Sequence, residues 1–196
     1  MRVGRIMHTD LVTVPPDTTI IKAKDIIAKK QINHLLVVDK NEELVGIVSD
    51  RDIKQSWASP ATTLSTHELN YLLRQLTVEI IMVRKIVTIS PSTTIERTAS
   101  IMQENRINGL PVIKSEKLVG IITSIDVMEV LLHSIGFGEE SARFAVLVED
   151  RIGIVSEVSK ILKEQKINIR SLVTWPEKEY PGIYQLVMRV GLEDKD

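Results

Sequence analysis

IMHTDLVTVPPDTTI (residues 6–20) and QINHLLVVDKNEELVGIVSDRD (31–52) are each answered 75 positions later, by IMVRKIVTISPSTTI (81–95) and RINGLPVIKSEKLVGIITSID (106–126), with one residue deleted inside the second copy. Each copy closes on a glycine, a hydroxyl residue and an aspartate: Gly46, Ser49 and Asp52, then Gly120, Thr123 and Asp126. Core packing explains a repeated apolar frame. It does not by itself explain a polar constellation repeated at the same places, and a pair of related ligand clefts does.

Working outward, the second copy predicts a strand at 86–89, a helix over 94–106, strands at 110–113 and 118–122, and a closing helix over 124–134. Ile95, Ala99, Ile101 and Met102 fall at mostly helical spacing, with Ser92, Thr93 and Thr94 available as caps. The polar turn KSEK joins the two later strands. The first copy repeats the order with strands at 11–14, 35–38 and 44–48, so each repeat is β-α-β-β-α. Between the copies, Leu69, Leu72, Leu73 and Leu76 form a helical stripe that Ser65 or Thr66 would cap, a helix expected to pack at the joint between copies or between two chains. After Gly136 and Gly138 the pattern changes. FAVLVED alternates as a strand, Ile154, Val155, Val158, Ile161 and Leu162 lie on one helical face, and strands at 168–175 and 183–190 follow, giving β-α-β-β. The expected division is one repeat over 1–60, a linker helix with the second over 61–136, and a third region over 142–196. The fold class is α/β.

Composition narrows the function. The 196 residues are 43% apolar and 26% charged, suited to a folded protein with buried cores. A net charge of −1 offers no global basic field for nucleic acid or an acidic membrane. The chain contains no cysteine, which excludes disulfides and thiolate chemistry and agrees with a cytoplasmic location. The start lacks the apolar core of a secretory signal, and no stretch approaches the roughly 18 apolar residues that span a bilayer. His8, His34, His67 and His133 form no i, i+4 pair, so no metal site is expected. Signatures of a nucleophile elbow, a P-loop or a dinucleotide fold are absent, and no catalytic residue is assigned.

Ser-x-x-Asp at a strand-to-helix junction has a structural meaning of its own, as a capping box at the positive helix end. The same geometry can serve a ligand: glycine permits close backbone approach, the hydroxyl and helix amides suit a phosphate, and the aspartate can accept hydrogen bonds from a ribose diol.

With GIVSDRD, GIITSID, QINHLLVVD and RINGLPVIK in place, residues 1 to about 135 resemble two CBS domains in tandem, a Bateman module. The resemblance implies clefts between the repeats that hold an adenine nucleotide such as AMP or ATP, or S-adenosylmethionine, as a regulatory ligand and not as a catalytic cofactor. Carried over, Asp126 and Thr123 work with Thr13, Asn33 and His34, while Asp52 and Ser49 work with Thr88, Asn108 and Gly109. Arg51 and Arg106 stand where such proteins often meet phosphate. His34 and Arg51 replace Gly109 and Ile125 of the other repeat, so unequal affinities are expected. The third region resembles an ACT domain, a ferredoxin-like unit, on EDRIGIVSEVSKILKEQKINI, with Asp150, Gly153 and Asn168 as candidate ligand residues. Ile152 replaces that family's usual proline, and the sequence stops before a second helix and fourth strand. The whole order resembles the B-type acetoin-utilisation proteins. It implies a regulatory protein of acetoin or related carbon metabolism that acts on a metabolic enzyme or regulator, and the apolar inter-repeat stripe, the closing helix and the incomplete third sheet predict a homodimer or larger assembly. An enzyme using the paired aspartates as acid and base, and a nucleic-acid-binding regulator, are the competing readings.

Overall fold

The computed structural model describes residues 1–56, 75–137 and 141–191. It divides into two compact units, Met1–Val127 and Met128–Asp196. The division falls upstream of the boundary expected between 136 and 142. The leucine stripe at 69–73 and its caps Ser65 and Thr66 lie outside the described residues, as do His67 and Gly138.

The first unit contains both repeats as far as the first turn of the second one's closing helix, whose remainder is counted with the second unit. In the first, β1 (Thr13–Val14), α1 (Ile20–Lys30), β2 (His34–Val38), β3 (Leu44–Ser49) and α2 (Asp50–Ser56) follow in order. A short helix α3 (Val78–Ile81) leads to the second, with α4 (Ile95–Asn105), β4 (Gly109–Lys114), β5 (Lys117–Thr123) and α5 (Ser124–Ser134).

The two long repeat helices start and stop by the same chemistry. Thr19 Oγ1 accepts from the Lys22 amide and Thr94 Oγ1 from the Arg97 amide, each at 3.3 Å, satisfying one orphan donor of the first turn. Both helices end on a left-handed residue, Gln31 at φ 52° and Arg106 at φ 55°. Ile20, Ala23 and Ile27 are buried on α1, and Ile95, Thr98 and Met102 on α4. Thr98 is buried at no cost in unmet polarity, because its hydroxyl donates to the Thr94 carbonyl at 2.8 Å.

β1 pairs in parallel with β2, and β2 antiparallel with β3, whereas β4 pairs with β5 alone. The strand expected at 86–89 shrinks to a single bridge between Ile89 and Val112. The cause is Pro111. At the matching place in the first repeat the Leu36 amide donates to the Val12 carbonyl, but proline has no N–H to give, and the ladder cannot extend.

The leading segments of the repeats are exchanged. Residues 1–8 run along the second repeat: the Val3 amide donates to Thr93, Gly4 to Pro91, and His8 pairs with Ile121 in both directions. Residues 76–83 run along the first: the Val78 amide donates to the Thr18 carbonyl, the Ile20 amide donates to the Leu76 carbonyl, and Val83 pairs with Ile47. Val78 and Met82 accordingly belong to the core of the first repeat, with Leu35, Val37, Val48 and Ile53.

In the second unit, β6 (Ser141–Glu149), α6 (Ile154–Glu164), β7 (Ile169–Pro176) and β8 (Ile183–Gly191) give the expected β-α-β-β sequence, with sheet order β6-β8-β7. Phe144, Val148, Leu172, Leu186 and Met188 pack with Val158 and Leu162 of α6. Alternation along the strands sends Leu147, Val173 and Trp175 to the opposite face.

Candidate functional site

At the end of β3, the Ser49 amide and hydroxyl both donate to Asp52 Oδ2, at 2.7 and 2.6 Å. At the end of β5, the Thr123 amide and hydroxyl donate to Asp126 Oδ2 at 2.7 and 2.8 Å. The capping expectation is met in both repeats, and each cap occupies only one carboxylate oxygen. Asp126 Oδ1 receives a hydrogen bond from His8 Nε2 at 2.9 Å, which places the imidazole proton on that nitrogen. Val83 occupies the position of His8 in the other copy. Burial pushes the Asp126 carboxyl up, but the bonds from the Thr123 amide and hydroxyl and from His8 outweigh it and hold it below the ordinary carboxylate value.

Each aspartate opens onto a cleft completed by the other repeat. The first cleft, about 480 Å³, is lined by Ser49, Arg51 and Asp52 from one repeat and by Arg106, Asn108 and Gly109 from the other. The second, about 610 Å³, brings Thr123 and Asp126 against Asn33 and His34. Both volumes lie in the roughly 300–1,000 Å³ range of small-molecule sites. The structure therefore brings the residues expected to act together across the repeats to common clefts, apart from two. Thr13 and Thr88 are exposed and line neither cleft; Val12 and Val87, one residue earlier, line them instead. Side chains alternate along an extended segment, so a one-residue offset selects the other face.

The two clefts meet at His34. Asn33, His34, Thr123 and Ile125 line both. A Cβ on Gly109 would stand 2.8 Å from His34 Nε2, so the glycine of one repeat makes room for the imidazole of the other. His34 Nδ1 is buried with no hydrogen-bond partner among the described residues. Burial lowers the His34 pKa, opposed in part by the negative charge of Asp52, and the ring is held neutral. The motif glycines also have a packing reason that differs from ligand approach: a Cβ on Gly46 would overlap the Met82 sulfur, and one on Gly120 would come within 2.6 Å of the Met7 sulfur. Met7, His8, Asp10 and Lys85 were missed as cleft residues by sequence reasoning. Their register in the repeat was visible, but their contact with the opposite copy was not.

In the second unit the three ACT-ligand candidates do not converge. Asp150 and Gly153 follow the end of β6, while Asn168 precedes β7 and accepts from Gly191, whose strand partner is Ser141 at the start of β6. β6 and β7 run parallel on either side of β8, so the α6 crossover returns the chain to the far end of the sheet. Gly153 starts α6 at φ 91° with open space where a Cβ would lie. Among the described residues there is no cluster of potential metal ligands, and no helix is long and apolar enough to cross a membrane.

The CBS domain family model matches residues 3–58 and 78–133, and the chain belongs to the CBS domain family. A homoserine O-acetyltransferase of Methanosalsum zhilinae is 34% identical over 130 residues, 66% of this chain but 24% of that protein. The chain thus spans about a quarter of that relative's length. Among solved structures, a CBS domain pair in complex with 5′-methylthioadenosine and S-adenosyl-L-methionine is 28% identical with a TM-score of 0.56, covering 67% of this chain and 95% of that one. CBSX2 in complex with AMP is 29% identical at TM-score 0.56, over 67% and 97% of the two chains. A candidate acetoin utilization protein of Vibrio cholerae is 27% identical at TM-score 0.56, over 68% and 91%.

Proposed function

We propose that this CBS domain pair binds an adenosyl ligand in the clefts between its repeats and reports occupancy to a partner protein or to a second copy of itself. The observation that carries the reading is the repeated carboxylate. One oxygen of Asp52 and of Asp126 is held by the adjacent hydroxyl residue, and the same side chain faces the opposite repeat's Asn108 and Gly109, or Asn33 and His34. A fixed anion beside an open cleft is an acceptor for a ribose diol. Resemblance to domain pairs crystallised with AMP, 5′-methylthioadenosine and S-adenosyl-L-methionine supports the adenosyl class.

Catalysis by the two aspartates is the weaker reading. A general acid must hold its proton near working pH, and Asp126 is shifted the opposite way. The proposed protein is a cytoplasmic regulator, with acetoin or related carbon metabolism as the setting its Vibrio cholerae likeness favours. The second unit is read as an ACT-like module, supported by its β-α-β-β order. Its open face, with Leu147 and Trp175 61–62% exposed, supports assembly as a homodimer or larger oligomer.

Native mass spectrometry of freshly purified protein tests oligomer and retained nucleotide together. Calorimetry on the ligand-stripped chain with AMP, ATP, 5′-methylthioadenosine and S-adenosylmethionine should show binding to at least one. Absence of heat with all four at millimolar concentration refutes the ligand-sensing function.

A further inference from the structure

Of the matched repeat positions that line the two clefts, three differ in charge between them. Lys85 and Arg106 line the first cleft, while their counterparts 75 residues earlier, Asp10 and Gln31, line the second. Arg51 precedes Asp52 in the first cleft, and Ile125 precedes Asp126 in the second. The first cleft therefore presents three cations. Its carboxylates are Asp50, which is paired with Lys54, and the ribose acceptor Asp52. Lys85, Arg106 and Arg51 are exposed and make no ion pair among the described residues, so their charge is available to a ligand. Among the described residues, no lysine or arginine lines the second cleft. It carries the carboxylates Asp10 and Asp126, the imidazoles of His8 and His34, and apolar side chains such as Met7, Val12 and Leu36.

We infer that the two clefts sort adenosyl ligands by charge: the Asp52 cleft takes a 5′-phosphorylated nucleoside, and the Asp126 cleft takes an uncharged or cationic one. The inference rests on the adenosyl reading above. A phosphate at the 5′ position needs donors and positive charge around it, and guanidinium and ammonium groups supply both. In the Asp126 cleft the same phosphate would meet a carboxylate at Asp10 and an alkyl chain at Ile125, with no cation to compensate. A neutral thioether or a sulfonium meets no such penalty there, and the apolar lining favours it. His8 adds a second difference. Its ring already donates to Asp126 Oδ1, so a ribose bound in that cleft displaces the imidazole or shares the oxygen with it, whereas Asp52 has Val83 at that place.

The test uses AMP and 5′-methylthioadenosine, which share adenosine and differ at the 5′ group, titrated calorimetrically into the ligand-stripped full chain. The expected wild-type result is one tight AMP site per chain, with affinity falling as salt rises, and binding of 5′-methylthioadenosine that salt barely changes. Giving the first cleft the residues of the second, with Lys85→Asp and Arg106→Gln together, should weaken AMP about a hundredfold relative to 5′-methylthioadenosine, at about tenfold for each charged contact. The converse pair, Asp10→Lys with Gln31→Arg, should create a second AMP site. All four positions are exposed, and circular dichroism checks that each variant folds. Two AMP sites of equal affinity in the wild type overturn the sorting, as does equal loss of both compounds in the first double variant. Heat with both compounds but no discrimination defeats the charge assignment alone; heat with neither defeats the adenosyl reading beneath it as well.

Discussion

The two units solve the problem of covering a sheet differently. In the first, each repeat receives a leading segment from beyond the other, and Leu35, Val37, Val48, Leu110, Val112 and Ile122 are fully buried. In the second, one helix covers one face of three strands, and the other face leaves Leu147 62% and Trp175 61% exposed. A duplicated unit can finish its core from its own chain and keep polar residues for clefts. A single β-α-β-β layer leaves apolar surface over, and its buried core reduces to a few residues around Leu186 and Met188.

That contrast sets a scale for mutation. Leu110→Ala removes a fully buried side chain and should destabilise the first unit by about 2–5 kcal/mol in chemical denaturation. A cost below about 1 kcal/mol would show that the first unit is no better packed than the second. Next in size, Gly109→Ala forces a methyl group against the His34 ring and should cost about 1–3 kcal/mol. The cost should largely vanish in a His34→Ala background. Gly182 in the second unit has open space around it and only a positive φ of 84°, so Gly182→Ala should cost about 1–2 kcal/mol whatever its neighbours are.

A pH effect should follow. The folded-state pKa of His34 lies below the ordinary value of 6.5, so its contribution is present above about pH 6.5 and is lost as pH falls and the buried ring must charge. Asp126, also lowered, adds a loss of the same sign only below its ordinary value of 3.8. The melting temperature of the first unit should therefore drop between pH 7.5 and 5.5, and His34→Gln should flatten that slope. An unchanged slope in the variant would remove His34 as its source. The smallest effect is expected on the open face, where Leu147→Ser should change stability by no more than about 0.5 kcal/mol when the chain is dilute enough to be monomeric. A larger loss that grows with protein concentration is the outcome that the proposed assembly through this face requires.

Much of the first unit was legible from the repeat, because an offset of 75 residues, 74 after the deletion, carries helices, caps and the Ser49–Asp52 and Thr123–Asp126 pairs together. Local chemistry was enough for the Thr94 cap. Where the reading failed, the deciding contact was distant or lay in the backbone. Pro111 looked like one more residue of a strand, yet its missing amide ends the pairing of a segment some twenty residues earlier. Thr13 was carried over from the family's backbone contacts of the first strand, and the pleat places its neighbour Val12 along the cleft instead. Asn168 was grouped with Asp150 by family pattern, although a parallel crossover separates them. The charge asymmetry was half visible: Arg51 against Ile125 was noticed, and Lys85 against Asp10 was not, since nothing local says that either faces a cleft.

The exchanged segments have a further consequence. Met1–His8 lies on the second repeat and residues 76–83 on the first, so each repeat holds what the other would otherwise lack. This is the geometry of two identical subunits that have traded arms, here joined into one polypeptide. In a true pair of identical subunits, positions 10 and 85 would have to be the same amino acid, and both clefts would carry the same charge. Covalent joining lifts that symmetry requirement. One copy can hold lysine where the other holds aspartate, and a single chain can read two different molecules with one architecture.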